Sequence, residues 1–405
     1  MHSTTSSIGI HATSSRQELI DYFMVAGLTY ILVFTPVNMV SYTTAVSILL
    51  LLSSIAFRSF FQLVRANLKT LAAIIIFLIV NAAFSPLPKD AFTGAFNVFK
   101  GLWILPVAML ASNSFTETRF RRVALPLSIG SAVIAVGILL AVVDWEAPYR
   151  SLATWSDSHI GNIHNLNNFL FTSLLLAGVV AWQYRDTGTR LVALCAFAPL
   201  LLACVLVKSE GSVLALGSTI LLLAGLRYRN RFGSGLLVLA LLPVLLLQVF
   251  YAFPEQFSNI TGLQASTLHI RSQIYSQLLE AWSQHPLIGW GTATYKYVDA
   301  AAVNGHKFLY PHNLYLEALF SIGIVGSILL STWLLKALSR LDFKAIAANP
   351  AKAFALSVLT YLSIKGMSDM NLMSYHTIGL FSICFGLLLG SDDTRLKPND
   401  PTENT

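Results

Sequence analysis

Charge is scarce in this chain. Only 11% of its 405 residues are Asp, Glu, Lys or Arg, where a soluble domain carries roughly a quarter. That scarcity excludes an ordinary soluble globular protein. Cysteine is scarcer still. Cys195, Cys204 and Cys384 are the three, and each falls inside an apolar run. There they pack as small apolar side chains, which excludes a disulfide-stapled scaffold. The sequence also lacks an internal repeat, a low-complexity segment and any polar stretch that reads as a soluble domain. Its polar N-terminal stretch leads into a first apolar run with no convincing cleavage site, so that run reads as a retained helix and not a signal peptide. The tail from Ser391 onward is short and polar.

What the chain has in excess is hydrophobicity, at 55% of its residues. A helix needs ~20 apolar residues to span ~30 Å of hydrocarbon. Twelve runs fit: about 19–38, 41–57, 70–87, 91–111, 123–143, 164–183, 191–207, 211–226, 235–253, 313–335, 353–368 and 376–390. The expected fold is therefore all-α, a polytopic membrane protein of about twelve transmembrane helices. It forms a single integral membrane domain over 1–405, with one long outer loop, 254–312, before the tenth helix.

Basic residues collect in alternate loops: Arg58, Arg65 and Lys69; Arg119, Arg121 and Arg122; Arg185 and Arg190; Arg227, Arg229 and Arg231; Lys336, Arg340, Lys344 and Lys352. The positive-inside rule puts these loops and both termini in the cytoplasm, with an even number of helices. The net charge of +7 is thus a topology signal and gives no support to a nucleic-acid partner.

On the outer side, polarity gathers in a few places. The long loop carries Ile270, Ile274, Leu278 and Trp282 at helical spacing. This predicts an amphipathic helix from about Ser266 to Gln284, lying on or capping the bundle and stopped by His285-Pro286-Leu287-Ile288-Gly289-Trp290-Gly291. Arg271 sits near its start and reads either as a solvated surface charge or as an anion-binding group. The loop ends at Tyr310-Pro311-His312-Asn313, the mouth of a run that carries Gly323 and Gly326. A Pro-His-Asn there sets an imidazole at the lipid–water boundary. Imidazole is suited to take a proton near neutral pH, though an interfacial histidine can simply hydrogen-bond the helix start.

Lys208-Ser209-Glu210-Gly211 joins two spans with almost no loop. Its charges either form a pair that snorkels to the interface or contact a ligand. Lys100 lies ~13 Å along its helix, too deep to snorkel easily, and asks for an anionic partner. A third region opens a helix with Asn162, His164, Asn165, Asn167 and Asn168. Helix capping explains one or two of them, and such groups also suit sugar hydroxyls or phosphate oxygens. Neither the histidines nor the cysteines have metal-ligand spacing, so no metal and no cofactor is expected.

On these residues the chain resembles the O-antigen ligase and polymerase superfamily of bacterial inner membranes. The resemblance rests on His312-Asn313 followed by Gly323-Ile324-Val325-Gly326, on Arg271 with Trp282 and the 285–291 turn, and on Gly161-Asn162 with Asn165. It departs where the family often has Ser-Arg-Gly, since this chain reads Ser209-Glu210-Gly211. The resemblance implies a metal-independent, inverting membrane glycosyltransferase of the type C kind, in the inner membrane with its active site facing the periplasm. The donor would be a glycan on undecaprenyl diphosphate and the acceptor lipid A-core, as in lipopolysaccharide biosynthesis. His312 would act as general base, and Arg271, with Lys208 and Lys100, would neutralise the leaving diphosphate. Asn165 and Asn313 would position substrate, with Glu210 and His164 as further substrate contacts. An O-antigen or exopolysaccharide polymerase, with a lipid-linked acceptor, is the alternative within the class. A lipid-linked oligosaccharide flippase is the alternative outside it, disfavoured by the missing repeat symmetry between halves.

Overall fold

The computed structural model describes residues 7–34, 42–56, 65, 68–142, 144–159, 163–207, 209–228, 239, 240, 242, 245, 249, 265–303, 305–368, 370 and 374–390. Fifteen α-helices lie among them. They are α1 (Ser7–Phe34), α2 (Tyr42–Ala56), α3 (Leu68–Ala83), α4 (Pro88–Leu102), α5 (Ile104–Ala111), α6 (Glu117–Leu140), α7 (Pro148–His159) and α8 (Ile163–Gln183). After them come α9 (Thr187–Leu206), α10 (Glu210–Arg227), α11 (Ala265–Ser283), α12 (Leu314–Leu338), α13 (Phe343–Ala348), α14 (Pro350–Lys365) and α15 (Tyr375–Leu389). Eleven of the twelve apolar runs coincide with these helices; the run 235–253 falls almost wholly outside the described residues. Six spans, at Gln17–Phe34, Pro88–Ser114, Glu117–Leu140, Ile163–Gln183, Thr187–Leu206 and Leu314–Leu338, are long and apolar enough to cross a membrane. The chain is a multi-pass, all-α membrane protein.

Two expectations need refinement. The outer segment before the sixth run folds as a helix of its own, α7, because Pro148 starts it and Trp155 and Leu152 pack inward. The loop also carries the only strands among the described residues, an antiparallel pair in which Ala302 faces Lys307 and Val303 faces His306.

α8 is the hub. Fourteen of its 21 residues are buried, and it packs against α6, α9 and α14, while α14 also packs against α10 and α15. Serine and threonine hydroxyls within this core turn back on their own helices. Thr29, Ser128, Thr219 and Ser357 each donate to the carbonyl four residues earlier. That closes polar groups that hydrocarbon could not satisfy. Leu140, Leu191, Leu335 and Ile328 face outward, as lipid contact requires.

The long loop does more than cap the bundle. α11 has the expected bounds to within a residue or two, and its Ile274, Leu278 and Ala281 join Tyr295, Val298, Ala301, Val303 and Phe320 of α12 in a second buried cluster. Burial, and then the nearby Glu317 carboxylate, push the Tyr295 phenol above its ordinary range.

The segment 286–291 enters a break in α12 at Gly323, whose φ of 64° is non-helical. There the helical bonds from Ile324 and Val325 to Phe320 and Ser321 are replaced. The amides of Trp290 and Gly291 donate to the carbonyls of Phe320 (2.8 Å) and Ser321 (3.0 Å), and the amides of Ile324 and Val325 donate to those of Pro286 (2.9 Å) and Leu287 (3.1 Å). Asn81 of α3 clamps the junction, donating to the carbonyls of Ile288 (2.8 Å) and Ser321 (3.0 Å). A broken helix at membrane depth is tolerated only where neighbouring protein re-satisfies its backbone. Gly289 (φ 83°) is obligatory for this contact: a Cβ there would lie 2.6 Å from both the Gly323 amide nitrogen and the Phe320 carbonyl. The glycines of both sequence motifs thus meet at one backbone junction.

Candidate active site

His312 occupies the turn between the loop and α12. Its φ of 56° puts a non-glycine residue in the left-handed region. Such conformations cost of order 1–3 kcal/mol and persist only where the surroundings over-determine them. Here they do. The Asn313 side chain caps α12, accepting from the amides of Tyr315 (3.0 Å) and Leu316 (3.1 Å), and its Nδ2 donates to the Met367 carbonyl (3.1 Å). The Leu314 amide donates to the Gly366 carbonyl (2.7 Å). The Tyr275 hydroxyl of α11 donates to the carbonyls of His312 (3.5 Å) and Met367 (3.4 Å). Asn313 is buried and spends both ends of its carboxamide on backbone, so what it positions directly is the turn.

The imidazole of His312 is half-buried. Its ring centroid lies 4.4 Å from Tyr310, 5.9 Å edge-on from Phe308 and 6.2 Å from His164. His164 comes from the first turn of α8, far away in sequence. Asn165 and Asn168, both half-buried, share that end of the helix. The next asparagine, Asn167, is buried and donates to the Ser212 hydroxyl (2.9 Å), which also hydrogen-bonds the hydroxyls of Ser209 (2.8 Å) and Tyr361 (3.1 Å).

Arg271 is half-buried, four residues before Tyr275 on α11. Residues at that spacing share a helix face, so Arg271 stands on the face that reaches His312. Lys100 is also half-buried, with Nζ 3.5 Å from Asn97 Oδ1 and 4.6 Å from the Phe96 ring centroid. Those contacts lie on its own helix and do not join it to the His312 cluster. Lys208 lies outside the described residues, as does the Glu210 side chain. The backbone of that turn is placed, because a Cβ on Gly211 would collide with Ser368. The Ser209–Gly211 turn therefore abuts the 365–368 turn that holds His312.

One residue of this cluster escaped the sequence reading. Lys365, in the last turn of α14, is fully buried, and its ammonium donates to the Asn168 carboxamide oxygen. The signal was present: a lysine inside a span is costly without a partner, the argument already applied to Lys100. Tyr275 was missed too, and a lone tyrosine on an amphipathic helix offers no such signal. Among the described residues no group of three His, Cys, Asp or Glu side chains is arranged to hold a metal ion.

Residues 195–331 match the family model described as O-antigen ligase. That match supports the O-antigen ligase and polymerase superfamily to which the sequence motifs point. The matched stretch holds Arg271, the 285–291 turn, His312 and the Gly323 break, so the O-antigen ligase domain contains the loop, the helix it completes and the strained turn between them. The other wall of the site, with His164, Asn165, Asn168 and Lys365, lies outside it on either side. A search of curated proteins finds no match to the chain.

Proposed function

We propose that this protein is an O-antigen ligase that transfers a glycan from undecaprenyl diphosphate to lipid A-core, at the periplasmic side of the bacterial inner membrane. The observation that carries the reading is His312. It holds a costly backbone conformation at the mouth of the matched domain, clamped from α11, α12 and the end of α14, with its ring turned toward a second polar wall. Strain of this kind collects at functional sites.

In the reaction, His312 takes the proton of the acceptor hydroxyl. The hydroxyl oxygen forms a bond to the anomeric carbon from the face opposite the leaving group. The bond between that carbon and the diphosphate oxygen breaks, its electron pair leaves with undecaprenyl diphosphate, and the configuration inverts. Arg271 meets the growing negative charge with a forked pair of donors that suits phosphate oxygens. Lys208, beside the Ser209–Gly211 turn, and Lys100 add positive charge. His164, Asn165 and Glu210 contact substrate, and Asn313 holds the turn that aims His312. Protein cations do here what a divalent ion does elsewhere, so transfer needs no metal. With basic loops gathered at the far end of the helices, both termini are cytoplasmic and about twelve spans complete the bundle.

The deciding experiment is transfer by the purified protein in lipid nanodiscs, with lipid-linked glycan as donor and lipid A-core as acceptor, in excess EDTA. His312→Ala should keep its fold and lose transfer. Undiminished turnover by that variant would remove the general base. Loss of activity in EDTA with recovery on adding magnesium or manganese would overturn metal independence. The lipopolysaccharide banding of a deletion strain separates ligase from polymerase. A ligase mutant keeps lipid-linked polymer and loses every capped chain, whereas a polymerase mutant leaves one repeat on the core.

A further inference from the structure

The buried Lys365–Asn168 contact lies outside the matched domain, and none of the roles assigned above uses it. Lys365 is fully buried in the last turn of α14, where the helix dipole favours a cation. Its ammonium can only donate, so the oxygen of the Asn168 carboxamide must face it and the orientation of that amide is settled by chemistry. Nδ2 of Asn168 then points the other way. No described residue accepts a hydrogen bond from it.

Three further facts set where those N–H groups are offered. Asn168 is half-buried while Lys365 is not exposed at all, so the carboxamide stands between the charge and the open side. Asn168 lies four residues after His164, on the same face of α8, and the His164 ring is 6.2 Å from that of His312. Lys365 also begins the turn whose Gly366 and Met367 carbonyls hold Leu314, Asn313 and Tyr275. One short stretch of chain thus fixes both the His312 turn and the back of Asn168.

A cation bonded to the oxygen of an amide polarises it and strengthens its N–H donors, the more so away from water. A sugar hydroxyl, which donates as readily as it accepts, gains little from such a donor. An anionic oxygen gains both the hydrogen bond and the field of the buried charge. We propose that Asn168 is a donor-binding residue that presents Nδ2–H to an oxygen of the lipid-linked diphosphate, and that Lys365 is the positioning residue that orients and charges it. This rests on the reading of the chain as a transferase acting on a lipid diphosphate.

The test uses the full-length protein in nanodiscs, with direct binding of undecaprenyl diphosphate measured beside steady-state transfer. Asn168→Asp keeps an acceptor for Lys365 and the size of the side chain, yet removes the N–H donors and places a negative charge before the diphosphate. It should melt within a few degrees of wild type. It should also raise the dissociation constant for undecaprenyl diphosphate and the donor KM by about 10-fold or more, leaving the acceptor KM unchanged. Lys365→Met should produce the same donor-selective defect, and Lys365→Arg should restore part of it. Wild-type affinity in folded Asn168→Asp would overturn the relay, and so would equal rises in both KM values, the mark of a purely structural contact. Failure of the wild-type protein itself to bind undecaprenyl diphosphate would instead remove the functional reading, and the relay with it.

Discussion

The two ends of α8 handle charge in opposite ways. Near its C-terminal end, Arg121 meets Asp186 at 3.3 Å, and Arg119 meets Asp21 at 3.1 Å across the bundle. Arg121 also lies over the Tyr184 ring and Arg227 over Trp182. Each of these three cations has a partly exposed carboxylate or an aromatic face. At the N-terminal end buried Lys365 donates to a carboxamide, and two tilted imidazole rings lie 6.2 Å apart. The first arrangement is what a membrane boundary needs and is worth little per pair. The second is expensive to build. The difference separates an end built from surface ion pairs from an end with a buried cation and two imidazoles, the end at which we propose that substrate is handled.

That contrast can be broken by treating both ends alike. His312→Ala should reduce transfer by about 10²–10⁴, while Arg119→Ala should leave turnover near wild type. Comparable losses in the purified variants would erase the distinction. Next in size is Arg271. Arg271→Lys keeps the charge but not the fork, and should weaken donor use by about 10-fold, with Arg271→Ala worse. Equal donor KM for Arg271→Lys and wild type would argue for a simple point charge.

A structural effect follows. Gly323→Ala forces a side chain into a left-handed conformation and against the Leu287 carbonyl, and should cost about 1–3 kcal/mol from conformation alone. Chemical unfolding in detergent would show it, and an unchanged midpoint would mean the break can relax. The smallest effect belongs to the basic end. Hydrogen bonds from Thr189, then the Arg121 guanidinium, hold the Asp186 carboxyl below the usual carboxylate range. Its stabilisation is present above the ordinary carboxylate pKa and is lost as pH falls through the lowered one. Asp186→Asn should shift the melting temperature at neutral pH by about 2 °C or less and flatten its fall on acidification. A large shift at neutral pH would show this end to be less dispensable than its exposure implies.

Much of the architecture was legible because lipid imposes a simple code. Eleven of the apolar runs coincide with helices, among them the one that follows His312 and the one that carries His164. The amphipathic helix was equally readable, since Ile274 and Leu278 repeat at its period. The break at Gly323 was not. A glycine inside an apolar run looks the same whether it merely lets helices approach or admits a foreign segment, and only the position of 286–291 distinguishes them. His312 could be picked from its flanking Pro311 and Asn313. Its pairing with His164 could not, because nothing local reports which helix start faces which. Lys365 sits in a span like Lys100, and only the packing of α14 against α8 shows which group meets it.

The insertion of residues 286–291 into α12 constrains how the site can open. Four backbone hydrogen bonds and the Asn81 clamp weld the loop to the helix that follows His312. Lifting the loop would unpair both halves of that helix at its break. The loop is thus tied down beside His312 as a fixed rim, not hung as a swinging lid. On the proposed function, a donor with a long hydrocarbon tail would then arrive and depart sideways, between helices from within the bilayer.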